Sequence, residues 1–184
     1  MSDYEVRRYT PGGVLLEATS RLKSLTCVWA ENTVGGLEIT IPVQDRDYED
    51  IGKNQVIEVW RNAYGSYEIL FDRAYFVRDW EFKSDDGERV IRIVAYDPNW
   101  LLATRIVAYD AGSAQASMTD YADDMMKAIV TDNLGGDATD TDRDLSTYLT
   151  VAGDLGDSVS LTKAFSRRNV LTVLQELCEA ATTG

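Results

Sequence analysis

Asp140, Asp142 and Asp144 stand at alternate positions, the spacing with which a calcium loop presents its first ligands. The rest of that pattern is missing. Leu145 occupies the position of the loop glycine and Val151 that of the bidentate glutamate, so a solvated acidic loop is the simpler reading. Glycoside hydrolysis needs two carboxyl groups held roughly 5–10 Å apart in a cleft. With 31 acidic residues in 184, some pair meets that distance by chance, and no spacing singles one out. The chain has no histidine, which removes the common zinc sites and every Ser-His-Asp or Cys-His arrangement. Cys27 and Cys178 lie far apart among apolar residues and read as two buried free thiols. The glycines of 32–36 and 133–136 lack the Lys-Ser/Thr of a phosphate loop and read as turns. No catalytic, cofactor-binding or metal-binding residue is assigned, and the expectation is a protein that is not an enzyme and needs no cofactor.

Aromatic residues are the remaining candidates. Trp29, Trp60, Tyr64, Tyr67, Tyr75, Trp80 and Trp100 could line a carbohydrate face, or could form core and subunit interface. The candidates for interface or core are Trp29, Leu37, Ile39, Trp60, Trp80 and Trp100.

The elements that position them divide the chain in two. A stretch from Glu88 to Tyr109 is the hinge: a β-branched strand, then Asp97-Pro98 as cap and first turn of a short helix, then a return to strand character. Before it, short strands alternate with turn chemistry: 4–9, 14–18, 25–30, 37–41 and 56–61. A polar connection over 44–54 has room for a helical turn around Tyr48 and Ile51. The aromatic run 67–83 is too long for one ordinary strand and is expected to bend at 72–74. Asp85-Asp86-Gly87 is a hairpin signal. After the hinge, Ser117 or Thr119 is expected to cap a helix ending at Gly135-Gly136. Short strands are expected near 148–151 and 158–161, and Asn169 caps a last helix that Gly184 would terminate. The predicted class is α+β: an antiparallel β-barrel over 1–104, then a smaller α/β segment over 105–184 with two helices, incomplete at its C-terminus.

Composition narrows the partners. Net charge is −13 and no basic run exists; the nearest are Arg7-Arg8 and Arg167-Arg168. Specific phosphate binding needs a clustered basic face, so nucleic acid is not an expected ligand. Residues 1–10 are polar and charged, unlike a signal peptide, and no apolar run approaches the roughly 20 residues of a membrane-spanning helix.

The succession VGGLEITIP, IGKNQVIEVWR, AYDPNWLLATRIVAY, ADDMMKAIVTDNLG and NVLTVLQEL resembles the minor tail or baseplate hub proteins of siphophages, and more distantly the hubs of contractile tails. The resemblance implies a structural virion protein at the tail tip, made in the host cytoplasm. It implies a homotrimer closing the tail tube, whose partners are tail-tube, distal-tail and tail-fibre or spike proteins. Hub chains of that family tend to carry two β-barrels around an α/β segment, and here only the first barrel and that segment are expected. DNA would pass an acidic lumen without specific binding. Two rival readings stay open: a carbohydrate-binding β-barrel module for the host cell wall, and a tail-associated cell-wall hydrolase.

Overall fold

A computed structural model describes residues 3–43, 50–108, 113–138, 140–146 and 149–183. The chain is mixed α+β and divides into two compact units, 1–100 and 101–184.

The first unit is one antiparallel sheet of seven strands: β1 (Tyr4–Tyr9), β2 (Leu15–Thr19), β3 (Ser24–Val28), β4 (Gly36–Pro42), β5 (Val56–Ala63), β6 (Ser66–Asp85) and β7 (Glu88–Tyr96). Their spatial order is β2-β1-β5-β6-β7-β4-β3. Strict alternation of burial in β4 puts Leu37, Ile39 and Ile41 inside and Glu38 and Thr40 outside. β5 and β7 repeat the pattern, and Val6, Ile51, Ile57, Val59, Tyr75, Val77, Ile91, Ile93 and Ala95 complete the core among the described residues.

This core belongs to one face of one sheet, so the sheet must coil upon itself. The chain length requires the same thing. Seven strands laid flat would separate β2 from β3 by roughly 29 Å at about 4.8 Å per step. Residues 20–23 are all that join these two edges, and such a link reaches at most about 17 Å. A small void of about 10 Å³ marks the result, with Val6 and Arg8 of β1, Glu17 and Thr19 of β2, and Ile39 and Ile41 of β4 on its walls. Among the described residues no ladder joins β2 to β3, so the expected barrel is seen only as a coiled antiparallel sheet.

Two hairpins need left-handed backbone at both central residues, Tyr64 and Gly65 (φ 53° and 91°) and Asp86 and Gly87 (φ 50° and 78°). These are type I′ turns, whose twist suits the flanking strands. The run 67–83 does not break into two strands. β6 continues for 20 residues and absorbs the irregularity as bulges. The neighbouring ladders hold the strand together on both sides of each bulge, which local sequence does not reveal.

The second unit holds β8 (Ala116–Tyr121), β9 (Ser160–Phe165), α2 (Ala122–Leu134) and α3 (Val170–Thr183), with α1 (Asn99–Ala103) spanning the boundary. Its core is Val107, Met125, Ile129, Leu134, Phe165, Val170, Val173 and Leu177. Several expectations are corrected here. Residues 116–121 are a strand paired with β9, so neither Ser117 nor Thr119 caps α2; Tyr121 precedes the helix and makes no side-chain cap. Cross-strand pairs such as Thr119–Thr162 decide the matter, and these are non-local. Residues 149–151 form no strand, and the pairing expected at 158–161 is displaced to β9. The return to strand after α1 shrinks to an isolated bridge between Ile106 and Asn169. Asn169 does cap α3, accepting from the Thr172 amide at 3.2 Å. Both thiols are half-buried rather than buried. Tyr48, Tyr109, Tyr148 and Gly184 lie outside the described residues.

Candidate assembly surface

Gly35 sets the geometry at one corner of the coiled sheet. A Cβ there would stand 2.8 Å from both the Val28 carbonyl and Asp97 Oδ2, so glycine alone lets these segments approach. Asp97 is fully buried. It accepts from Arg73 Nη1 at 2.8 Å and from the Asn99 amide at 3.1 Å, which makes it the cap of α1. Arg73 is the last of four residues, 70–73, that stand opposite Val59 alone in the pairing of β5 with β6. That wide bulge throws Phe71 outward with φ at 60°. The Phe71 ring stacks on Trp29 with centroids 6.3 Å apart and planes 20° apart, and Arg73 lies 5.7 Å from the Trp29 ring. Trp29 is 53% exposed and Phe71 50%, with Val28 exposed beside them. The result is an aromatic pair held out to water by left-handed backbone at Phe71, with the half-buried Arg73 and the buried Asp97 behind it.

The six sequence candidates separate by position. Leu37 and Ile39 are core. Trp80 is partly buried and packs against that core. Trp60 lies on the outer face of β5, donating to Glu58 Oε2 at 2.9 Å under the Arg7 guanidinium. Trp100 sits on α1 beneath Arg78 at 3.6 Å. Trp29 belongs to the exposed pair. Val28 was read with Trp29 as core or interface and Asp97 as a helix cap, but the roles of Phe71 and Arg73 beside them were not legible from sequence. The expected bend at 72–74 was the one trace of the bulge, and it could not say which ring would be expelled. A second apolar surface lies on edge strand β2, where Leu15 and Leu16, next to Val14, are exposed.

The acidic loop serves its own backbone. Asp140 accepts from the Asp142 amide at 3.0 Å and Asp144 from the Ser146 amide at 2.7 Å, and the latter bond holds the Asp144 carboxyl below its usual range. Tyr75, fully buried, meets the Cys27 thiol at 2.8 Å, and burial pushes both groups up from their ordinary values. The Arg7-Arg8 pair is divided by the strand period. Arg7 stays outside over Trp60, while Arg8 turns inward to Gln55 and Asp50, each at 2.9 Å.

Residues 11–184 match the family described as Siphovirus ReqiPepy6 Gp37-like protein. The chain belongs to that family. The Gp37-like chain is therefore related to a siphovirus protein. No curated protein matches it. Among solved structures it resembles prophage tail protein gp18 from Listeria monocytogenes EGD-e, at 12% identity and a TM-score of 0.54, over 97% of this chain and 45% of that one. It also resembles the tail protein from Neisseria meningitidis MC58, at 10% identity and 0.54, over 96% and 45%. At these identities the likeness is one of fold, and the Gp37-like chain spans less than half the length of either protein.

Proposed function

We propose that this chain is a phage tail protein, a component of the tail-tip or baseplate hub. It closes the tail tube as a homotrimer and joins it to distal-tail and tail-fibre or spike proteins. In this reading the coiled sheet acts as a hub-like barrel through about residue 104, and 105–184 is the α/β insertion. The observation that carries the reading is the exposed Trp29–Phe71 pair, braced by Arg73 and Asp97: rigid aromatic anchors typical of a subunit contact. The net charge of −13 supports a lumen wall that repels DNA and lets it slide without specific binding. No described helix is long and apolar enough to cross a membrane.

Light scattering over a concentration range tests the reading. A trimer is expected, falling to monomer when Trp29 and Phe71 are both changed to Ser. A chain that stays monomeric and binds neither a tail-tube nor a distal-tail protein would end it. The same exposed rings favour a second reading, a module that stacks cell-wall polysaccharide. Quenching of tryptophan emission by wall fragments, lost in Trp29→Ser, would select it; a flat titration would remove it.

A further inference from the structure

Arg78 differs from four other arginines of the first unit. Arg7, Arg8, Arg73 and Arg92 each hold a carboxylate, as expected in a chain with 31 acidic residues. Arg78 holds none among the described residues. Its pairing explains where it stands: Val77 faces Ala95 and Asp79 faces Val94, so Arg78 is the extra residue of a bulge between β6 and β7. A bulge re-aims one side chain at the expense of a ladder position. The guanidinium is thereby laid 3.6 Å above the Trp100 ring and 5.8 Å from that of Phe76. Nη1 donates to Asn54 Oδ1 at 2.5 Å, from a residue itself held at φ 69°. Nε is enclosed without an acceptor. Of the five N–H donors of a guanidinium, one is on Asn54 and one is enclosed, which leaves three. Burial draws the group below the usual arginine value.

A half-buried cation fixed on an aromatic shelf, with a neutral amide where a carboxylate would ordinarily stand, is complementary to an anion from outside. We propose that Arg78, backed by Trp100 and Asn54, is the recognition point for a carboxylate presented by the surface of a partner protein. Phosphate shares the geometry, but a polyanion such as DNA must approach a chain of net charge −13, whereas an acidic side chain brings a single charge. The proposal does not depend on the tail-tip reading and holds for any tail partner.

The test follows the Arg78 Nε–H resonance in nitrogen-15 spectra of the full chain at fixed ionic strength, titrated with an end-capped peptide carrying one glutamate and, separately, with a single-stranded DNA hexamer. The expected result is a saturable shift with the glutamate peptide larger than any shift with DNA, together with shifts of the Asn54 and Trp100 amides. Those amide shifts should vanish in Arg78→Gln, whose folding a thermal melt verifies. A shift with DNA equal to or larger than that with the glutamate peptide overturns the carboxylate assignment. Absence of a shift with either probe, or amide shifts that persist in Arg78→Gln, overturns the site itself.

Discussion

Tyr75 is a fully buried member of the first core, and its hydroxyl lies 2.8 Å from Cys27 Sγ. Both groups are held protonated by burial, Cys27 above its ordinary 9.0 and Tyr75 above its ordinary 10.0. The unfolded chain therefore releases these protons at lower pH than the folded one. Their stabilising contribution is complete below about pH 9 and declines as pH rises past it, because the unfolded state then binds fewer protons. Chemical denaturation at pH 7.5 and pH 10.5 should show the chain losing stability at the higher pH. The double variant Cys27→Ala, Tyr75→Phe should lose distinctly less over the same interval. Equal losses would show that other groups carry the alkaline response. Sequence placed Cys27 among apolar neighbours, but its partner is 48 positions away, and nothing in either segment names the other.

β6 carries the irregularities that make surfaces of the first unit. Its bulge at 70–73 sets Phe71 in left-handed backbone and its bulge at Arg78 re-aims a cation. A non-glycine side chain in that backbone costs roughly 1 kcal/mol, while the Trp29–Phe71 stack contributes about 0.5–1.5 kcal/mol. Phe71→Ala loses the stack and keeps the strain; Phe71→Gly loses the stack and relieves it. Urea unfolding should find Phe71→Gly the more stable of the two by about 1 kcal/mol. If the alanine variant equals or exceeds it, the backbone is not strained there. Elsewhere on the same sheet the outer face is regular. Arg92 of β7 bridges Glu38 of β4 and Glu81 of β6, and it lowers the pKa of Glu38 through a charge-assisted hydrogen bond. Alternation made β4, β5 and β7 legible in the sequence, since one wet and one dry face leave a period-two pattern. β8 was not legible, because both its faces are largely exposed and its helix-like polar composition is overridden by pairing with β9.

Across the molecule, the two units have separate cores with no residue in common. All four tryptophans, Trp29, Trp60, Trp80 and Trp100, fall in residues 1–100, while α2 and α3 fall in residues 101–184. Tryptophan emission therefore reports on the first unit and helical circular dichroism on the second. Leu177 is fully buried in the second core, and its replacement by Ala should cost about 2–5 kcal/mol. Thermal unfolding of Leu177→Ala should show the helical transition moved down and the tryptophan transition unmoved. A common shift of both signals would mean that the units unfold as one.

The sequence by itself determined which residues are apolar at period two and at period 3.6, where turn chemistry interrupts them, and that no histidine-based chemistry is available. Those properties are local, and from them follow the β-rich first part, the two long helices, and caps such as Asp97 and Asn169. The tertiary structure decided what depends on distant pairing. It set the order in which seven strands lie side by side, and the coil forced on them by a four-residue link between opposite edges. It decided which of the aromatic residues turn to water, because a bulge shifts the face of every residue beyond it, and a bulge is set by the partner strand. Phe71 and Arg78 owe their exposure and aim to that non-local pairing, and so does the docking role proposed for them.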